Sequence, residues 1–338
     1  MEYKISLLDQ SPIYEGETAF HALQKTVELA QEAEKWGYHR FWVSEHHNAE
    51  KLAGSSPEVL MAYLLAKTNK IRIGSGGVML QHYSPYKVAE NFSVLSALAP
   101  KRVDLGIGKA PGGLPLSTKA LQFGTVNKGE DFEERLSSLY ELLEKKLPQD
   151  HPLAEVNVTP EPPENPRYYL LGASAKSAEM AAKFGWNFVF AKFINSDPTS
   201  WTEAAEVYRS LSPNGHFAMA ISVFAADHQK EAEERVSDQT IYKVALESGR
   251  IVTVNSLEQA EGFGSQSGQE YEIRKQKLQT LAGTPQYIHS VLKYYHEHYG
   301  VKEFIFHTPI EDRQARKHSF HLLSSVHSLK EKRKENVL

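Results

Sequence analysis

Short apolar runs alternate with segments of helical period along almost the whole chain, and this alternation limits the possible folds more than any other feature. Eight of the runs have the length and residue content of strands, and they cover residues 3–8, 40–44, 71–74, 102–108, 168–171, 187–191, 217–225 and 303–307. A segment with apolar residues at helical spacing follows each run. The pattern predicts one α/β domain over residues 1–338, a (β/α)8 TIM barrel. A doubly wound open sheet is the alternative, although it would not need eight evenly spaced units.

One segment breaks the alternation after the seventh strand and after a helix that we expect at about residues 228–247. Residues 249–283 contain five glycines among several serines and glutamines, which predicts a long loop insertion. Long loops in compact domains are usually functional or disordered. Because the loops that follow barrel strands lie at the end where such barrels place their sites, we predict that residues 249–283 form a lid.

The composition excludes several classes of partner and chemistry. A formal charge of −4 over 338 residues is too small to indicate a nucleic acid or a membrane surface. The chain has no cysteine, so it has no disulfide, no thiolate metal ligand and no thiol nucleophile. It also has no Gly-x-Ser-x-Gly motif, which leaves serine hydrolysis unsupported. No apolar run is long enough to span a membrane, and the first residues do not resemble a signal peptide, so we expect a cytoplasmic protein.

The second predicted strand ends abruptly in three ionisable residues, Glu45, His46 and His47. Successive strand residues point to opposite faces, so we expect one histidine to face the pocket and the other to pack sideways. General acid or base catalysis by one histidine is the favoured interpretation. A metal site is the weaker one, because adjacent histidines on a strand chelate poorly. The third possibility is a structural histidine that forms a hydrogen bond beneath a loop.

Glycines mark the ends of the third and fourth predicted strands. Gly74, Gly76 and Gly77 lie within four residues, and they form either a bulge or a bare surface for a flat ligand. No helix follows with the glycine spacing of a dinucleotide fingerprint. Gly108 ends the fourth strand, and Lys109 follows it as either a phosphate ligand or a solvated lysine.

The fifth strand passes through a glycine turn directly into a helix, at Gly172-Ala173-Ser174-Ala175. The first N–H groups of a helix lack partners and carry the positive end of its dipole, which suits a phosphate. Ser174 and Ser177 add hydroxyl donors, although Ser174 could simply cap the helix. Together these features predict a barrel mouth that holds a planar, phosphorylated ligand.

The order of these motifs resembles that of the bacterial-luciferase-like flavin-dependent oxidoreductases (monooxygenases), over nearly the whole chain. The segments that carry the resemblance are 33–38, 41–47, 56–60, 71–78, 88–92, 102–108 and 283–285.

The resemblance implies a barrel that uses reduced FMN and O2 to oxidise a small organic substrate through a C4a-hydroperoxyflavin. Such an enzyme acts on paired donors and incorporates molecular oxygen, and a separate NAD(P)H:flavin reductase usually supplies the reduced flavin. Its catalytic residues fall on His46 and the neighbouring Glu45. The cofactor-binding positions fall on Gly76, Gly77, Gly108, Lys109, Gly172, Ala173, Ser174, Ala175 and Ser177. The resemblance also implies a non-prolyl cis peptide at Gly76–Gly77, no catalytic metal, and a homodimer paired through the helices near 57–68 and 86–98.

Two positions depart from luciferase itself. Gly108 stands where luciferase has a cysteine, and Lys109 stands where it has an arginine, which removes a bidentate fork. Light emission is therefore not implied. Two alternatives stay open within the same fold: an oxidoreductase that uses the deazaflavin F420, and a flavin-binding protein without catalysis.

Overall fold

The computed structural model describes residues 3–125 and 131–335, with side chains up to Ser324. Its strands are β1 (Lys4–Asp9), β2 (Arg40–Val43), β3 (Arg72–Ser75), β4 (Val78–Met79), β5 (Val103–Gly108), β6 (Arg167–Gly172), β7 (Asn187–Ala191), β8 (Phe217–Ala225), β9 (Thr240–Leu246), β10 (Ile251–Val254), β11 (Tyr271–Lys277), β12 (Leu281–Gly283) and β13 (Glu303–His307). Its helices are α1 (Ala19–Lys35), α2 (Pro57–Lys67), α3 (Pro85–Leu98), α4 (Pro115–Leu121), α5 (Phe132–Leu143), α6 (Ala175–Lys183), α7 (Pro198–Leu211), α8 (Gln229–Val236), α9 (Leu257–Ser267), α10 (Pro285–Tyr299) and α11 (Arg313–Glu335). A short 3-10 turn covers Leu80–His82.

Eight parallel strands close into a barrel in the order β1, β2, β3, β5, β6, β7, β8 and β13. The ring closes because β7 pairs with β8 and β13 pairs with both β8 and β1. The eight predicted strands coincide with these eight, which confirms the TIM barrel and excludes the open sheet. Among the helices that the structure describes, none combines the length and the apolar character needed to traverse a bilayer.

Local sequence signals explain where several helices begin. Thr18, Ser174 and Thr284 accept hydrogen bonds from backbone N–H groups in the first turns of α1, α6 and α10. Prolines occupy the first turns of α2, α3 and α7, where the missing N–H has no cost. The helix predicted over 129–146 is observed as α5, and its predicted first residues, 129–130, lie outside the described part of the chain.

The insertion after β8 differs from the prediction in its secondary structure. The helix expected at about 228–247 ends at Val236, and the chain continues as β9, in which Ile241, Val244 and Leu246 are buried. Residues 249–283, expected to be a loop, contain β10, α9, β11 and β12. β9, β10 and β11 form an antiparallel sheet, and α9 packs on it through Ala260 and Phe263.

The barrel interior has three layers of side chains. The lowest, at the amino ends of the strands, is a buried ionic cluster in which Arg40 donates to Asp104 at 2.7 Å and to Glu303 at 2.6 Å. Burial alone would raise the pKa of Glu303, but the charges of Arg40 and His216 hold it well below its ordinary value. The middle layer is apolar and consists of Leu8, Trp42, Tyr169, Val189, Ala218, Ala220 and Ile305. The upper layer, at the carboxyl ends, includes Ser44, Gly76, Ser222 and His307, and it forms the floor of the mouth.

Candidate active site

Glu45 is fully buried just beyond β2, and three donors occupy its carboxylate. His47 Nε2 lies 2.6 Å from Oε1, and the Tyr83 hydroxyl donates to the same oxygen at 2.7 Å. The backbone N–H of Met79 donates to Oε2 at 3.0 Å. Glu45 therefore ties the end of β2 to the segment that follows β3.

His46 is half-buried and turns away from Glu45. The Gln10 side-chain amide lies 3.1 Å from His46 Nε2, where it donates to the ring. Burial of the ring lowers the pKa of His46 to about 4. The Glu45 charge raises this pKa, but by less than burial lowers it. His46 is thus a neutral imidazole near pH 7, able to accept a proton or a hydrogen bond at the barrel mouth.

His47 packs sideways, bonded to Glu45, while its backbone N–H donates to the Gly112 carbonyl at 2.8 Å. The rings of His47 and His82 meet edge to face, 6.2 Å apart. Sequence analysis missed Tyr83 and Gln10 as members of this cluster. No motif marks Tyr83, because only the 3-10 turn at Leu80–His82 brings its hydroxyl to the Glu45 carboxylate.

The glycines at the end of β3 lie where neighbouring atoms leave no room for a side chain. A Cβ on Gly76 would lie 2.6 Å from Leu8 Cδ1, and one on Gly77 would lie 2.7 Å from the Gly106 carbonyl oxygen. The peptide bond between Gly76 and Gly77 is cis, as expected. Packing alone accounts for both glycines, of which Gly76 is partly exposed and Gly77 is buried. Gly108 differs, since a Cβ there would make an ordinary contact of 3.4 Å with Met79 Sδ.

The turn from β6 into α6 is tightly packed. A Cβ on Gly172 would lie 2.2 Å from Ser177 Cβ, so the strand and the helix can approach this closely only at glycine. Ser174 caps α6 by accepting from the Ser177 N–H at 3.3 Å, and the two hydroxyl oxygens are 3.1 Å apart. The Asn195 side chain donates to the Ala173 carbonyl at 3.1 Å and fixes the turn from the far side. The capping role of Ser174 is thus observed, and both hydroxyls lie at the positive end of the helix.

Lysines from α6 and from the segment after β5 lie near Glu133, a residue of the neighbouring helix α5. Lys183 donates to Glu133 at 2.6 Å, and this hydrogen bond is the largest cause of the lowered pKa of Glu133. The charges of Lys176 and Lys109 lower it further, so both lie near the same carboxylate. Lys109 is exposed, with its Nζ 5.7 Å from the centre of the Phe132 ring. The structure therefore brings the predicted cation after β5 and the predicted anion site at α6 to one side of the mouth.

The insertion reaches the mouth from the side of α4. The Leu116 N–H donates to Gln266 Oε1 at 3.0 Å, and Leu114 packs on the apolar cluster of the inserted sheet. Leu114 is two residues from Gly112, which accepts the His47 N–H. The proposed lid is therefore connected to the histidine cluster, and its closing function stays a prediction.

In the described residues, no group of three or more His, Asp or Glu side chains is arranged to hold a metal ion. The geometry explains why, since Glu45 and His47 are bonded to each other while His46 turns to Gln10.

A model of the luciferase-like monooxygenases matches residues 1–300 of the chain. The chain belongs to this family. A relative in Bacillus subtilis (strain 168), N-acetyl-S-alkylcysteine monooxygenase, is 47% identical over 326 residues, which cover 96% of this chain and 98% of the relative. The luciferase-like monooxygenase of Escherichia coli (strain K12) is 34% identical over 328 residues, covering 95% of this chain and 96% of that protein.

Solved structures of luciferase-like proteins agree with the observed fold. Apo-MsnO8 superposes with a TM-score of 0.77 at 31% identity and covers 97% of this chain and 99% of its own. The oxygenating constituent of 3,6-diketocamphane monooxygenase from Pseudomonas putida, in complex with FMN, has a TM-score of 0.67 at 17% identity, with coverage of 96% and 97%. An F420-dependent secondary alcohol dehydrogenase in complex with an F420–acetone adduct has a TM-score of 0.69 at 18% identity, with coverage of 96% and 98%. Structural neighbours of this luciferase-like chain thus hold FMN or F420.

Proposed function

We propose that the protein is an FMN-dependent monooxygenase that uses reduced FMN and O2 to oxidise a small organic substrate. One oxygen atom enters the substrate and the other leaves as water, with two electrons supplied by the flavin. Three features at the carboxyl ends of the barrel strands support this proposal: the Gly76–Gly77 main chain, which admits no side chain, the neutral His46 after β2, and the start of α6, with Lys176 in its first turn.

The residues present fit the cofactor. The isoalloxazine would lie on the main chain at Gly76, Gly77 and Gly108, where the first two positions admit no side chain. The phosphate would bind the first turn of α6, among the residues Gly172, Ala173, Ser174, Ala175 and Ser177, with Lys109 as the nearby cation. When bound in its reduced form, FMN supplies two electrons and activates dioxygen.

His46 is the proposed acid/base residue. Because its pKa is lowered to about 4, it is neutral in the working range and can hold a proton in transit at Nε2 or Nδ1. Glu45 contributes by positioning: its carboxylate is buried and saturated by donors from His47, Tyr83 and Met79, and it fixes the backbone from which His46 projects. The insertion, including residues 249–283, would exclude water from the mouth during turnover.

The relative from Bacillus subtilis suggests a substrate class. It is 47% identical over 326 residues, which cover 96% of this chain. We therefore propose that the substrate is a thioether of the same class, an S-alkylated and N-acylated cysteine.

Two partners complete the proposal. A separate NAD(P)H:flavin reductase would supply reduced FMN. A second copy of the chain would cover the apolar face of α2 and α3, where Val59 and Leu98 are each 71% exposed. The cytoplasmic location stays a prediction.

The deciding experiment presents the pure protein with reduced FMN, oxidised FMN or F420, and measures binding by calorimetry. The FMN-loaded protein is then reduced anaerobically and mixed with air and N-acetyl-S-methylcysteine, while oxygen uptake and product mass are recorded. Binding of reduced FMN and a product carrying one atom from 18O2 are expected. Binding of F420 alone would replace the proposal with a deazaflavin oxidoreductase, and FMN binding without substrate-dependent oxygen uptake would indicate a flavin-binding protein.

A further inference from the structure

Three polar atoms in the upper layer of the barrel are buried without a hydrogen-bond partner among the described residues. They are Ser44 Oγ, Ser222 Oγ and His307 Nδ1. The exposed fractions of their residues are 5%, 1% and 9%, so bulk water does not solvate them. Buried polar groups in folded proteins nearly always have a partner, and three exceptions in one layer require an explanation.

All three side chains face the inside of the barrel. The residues two positions earlier in the chain, Trp42, Ala220 and Ile305, belong to the apolar layer of the interior. Ser222 and His307 lie on β8 and β13, and Ser44 directly follows β2, where its N–H still donates to the Asp9 carbonyl of β1. Because side chains alternate along a strand, each of the three polar residues lies one step higher on that interior face.

Neighbouring contacts place the group at the mouth. His307 is the register partner of Ser222 between β13 and β8. The ring of Phe193, which also packs on the interior layer, lies 5.4 Å from the His307 ring. Ser44, Ser222 and His307 are called the wall below. The charge of a protonated His46 would lower the pKa of His307, which links the wall to the proposed acid/base residue.

Ser222 and His307 lie across the barrel from the proposed flavin site, whereas Ser44 follows β2, which is adjacent to β3. β8, β13, β1 and β2 are consecutive in the ring, whereas the bare main chain lies on β3 and β5 and the anion site follows β6. A molecule held by Ser222 and His307 would therefore lie beside the flavin surface, where a substrate is required.

The polar atoms at this wall can donate hydrogen bonds to an anion. Burial lowers the pKa of His307 to about 3, and the Arg316 charge is the next cause, ahead of the opposing effect of Asp9. Arg316 donates to Asp9 Oδ1 at 2.7 Å, and its own Nε is also buried without a described partner. The neutral His307 ring offers one N–H donor and the two serines offer two O–H donors, which matches the acceptor capacity of a carboxylate.

We propose that Ser44, Ser222 and His307 form a binding site for the carboxylate of the substrate. This inference rests on the proposed function, because it assigns a residue set to the acid end of an N-acylated, S-alkylated cysteine. The carboxylate held at this wall leaves the sulfur end to extend across the mouth toward His46 and the flavin surface.

The experiment compares N-acetyl-S-methylcysteine with its carboxamide, which keeps the size but lacks the charge. For the wild type we expect the acid to have the higher kcat/KM. Ser222→Ala and His307→Leu should each lower kcat/KM for the acid by about 10- to 100-fold, mainly through KM, because each removes a hydrogen bond to a charged group. The carboxamide should lose less, and His307→Gln, which keeps a side-chain donor, should restore part of the preference for the acid.

The chain offers a matched control in Ser96, whose Oγ is equally buried and unpartnered but lies on α3, outside the barrel. Ser96→Ala should leave the acid-to-amide ratio at the wild-type value. Calorimetric binding of FMN should be unchanged in all four variants.

Each other outcome has a definite meaning. Weaker FMN binding with an unchanged acid-to-amide ratio would assign the wall to the flavin and overturn the proposal. An unchanged ratio with unchanged FMN binding would show that the polar atoms bind only water, and it would also overturn it. If neither compound is oxidised, calorimetry with the acid separates the two claims: binding that His307→Leu abolishes keeps the carboxylate site and rejects the monooxygenase function, whereas binding that is absent or insensitive to this variant rejects the site.

Discussion

The two ends of the barrel interior bury polar groups in opposite ways. At the amino ends of the strands, Asp104 accepts hydrogen bonds from Arg40, Arg72 and Trp42 over distances of 2.6–3.1 Å. Glu303 is equally saturated, because Arg40, Ser6 and His216 all donate to it. Each charge in this lower layer has a partner of opposite sign within the chain itself.

At the carboxyl ends of the strands, by contrast, buried polar atoms lack partners within the described residues. Ser44, Ser222 and His307 are also buried, yet one polar atom of each has no described partner. Both ends consist of the same eight strands, so the difference lies in which side chains the chain places at each level. The polar groups of the lower layer satisfy one another within the chain, and we propose that a bound ligand satisfies those of the upper layer.

The largest expected effect is on catalysis at the mouth. His46→Ala should lower substrate-dependent oxygen uptake by about 10²- to 10⁴-fold, the usual contribution of a positioned acid/base group. The urea-induced unfolding free energy should change little, since the half-buried ring has the Gln10 amide as its described hydrogen-bond partner. A large loss of stability without a loss of turnover in the folded fraction would contradict the division between the two ends.

The second prediction concerns the opposite end. Asp104→Ala should lower the free energy of unfolding by about 3–5 kcal/mol, because it leaves Arg40 and Arg72 buried without their shared carboxylate. Urea denaturation measures this change. FMN binding by the fraction that stays folded should match the wild type, and a change below about 1 kcal/mol would show that the cluster is not needed for stability.

A smaller effect, on FMN binding, is expected at Lys109. Lys109→Ala should weaken FMN binding about tenfold, at the low end for a charged contact, because the side chain is exposed. Riboflavin, which lacks the phosphate, should bind the variant and the wild type equally. Lys183→Ala is the matched control, because Lys183 is already bonded to Glu133. Equal losses for FMN and riboflavin would remove Lys109 from the phosphate site.

The last prediction is a pH dependence. The pKa of His307 is lowered to about 3 in the folded protein, whereas an unfolded histidine titrates near 6.5. Between these two values the unfolded state binds more protons, so stability rises with pH and falls on acidification. His307→Gln should reduce the slope of unfolding free energy against pH in this window by up to about 1.4 kcal/mol per pH unit. An unchanged slope would show that His307 does not titrate differently in the two states.

The sequence contained most of the barrel and part of the site. The eight barrel strands were predictable because each is an apolar run of strand length between helices. The site residues that could be predicted, such as Glu45, His46 and Ser174, lie in local motifs where a strand ends. The inserted sheet could not be found in this way: β11 (Tyr271–Lys277) is mostly charged and exposed, so it lacks the apolar alternation that marks a strand.

The proposed carboxylate site could not be predicted from local sequence motifs, for a different reason. Ser44, Ser222 and His307 come from three distant parts of the chain, and a single serine or histidine at a strand end carries no motif. Only closure of the barrel brings β2, β8 and β13 around one mouth. The same holds for Tyr83, whose hydroxyl reaches Glu45 through a turn that no sequence pattern marks.

The space beside Gly108 would accept a side chain that carries a spectroscopic probe. The chain has no native thiol, and a Cβ at Gly108 would make only an ordinary contact with Met79. Gly108→Cys would therefore introduce a single thiol at the edge of the proposed flavin site. A fluorophore or spin label attached there would give a background-free signal for whatever enters this site.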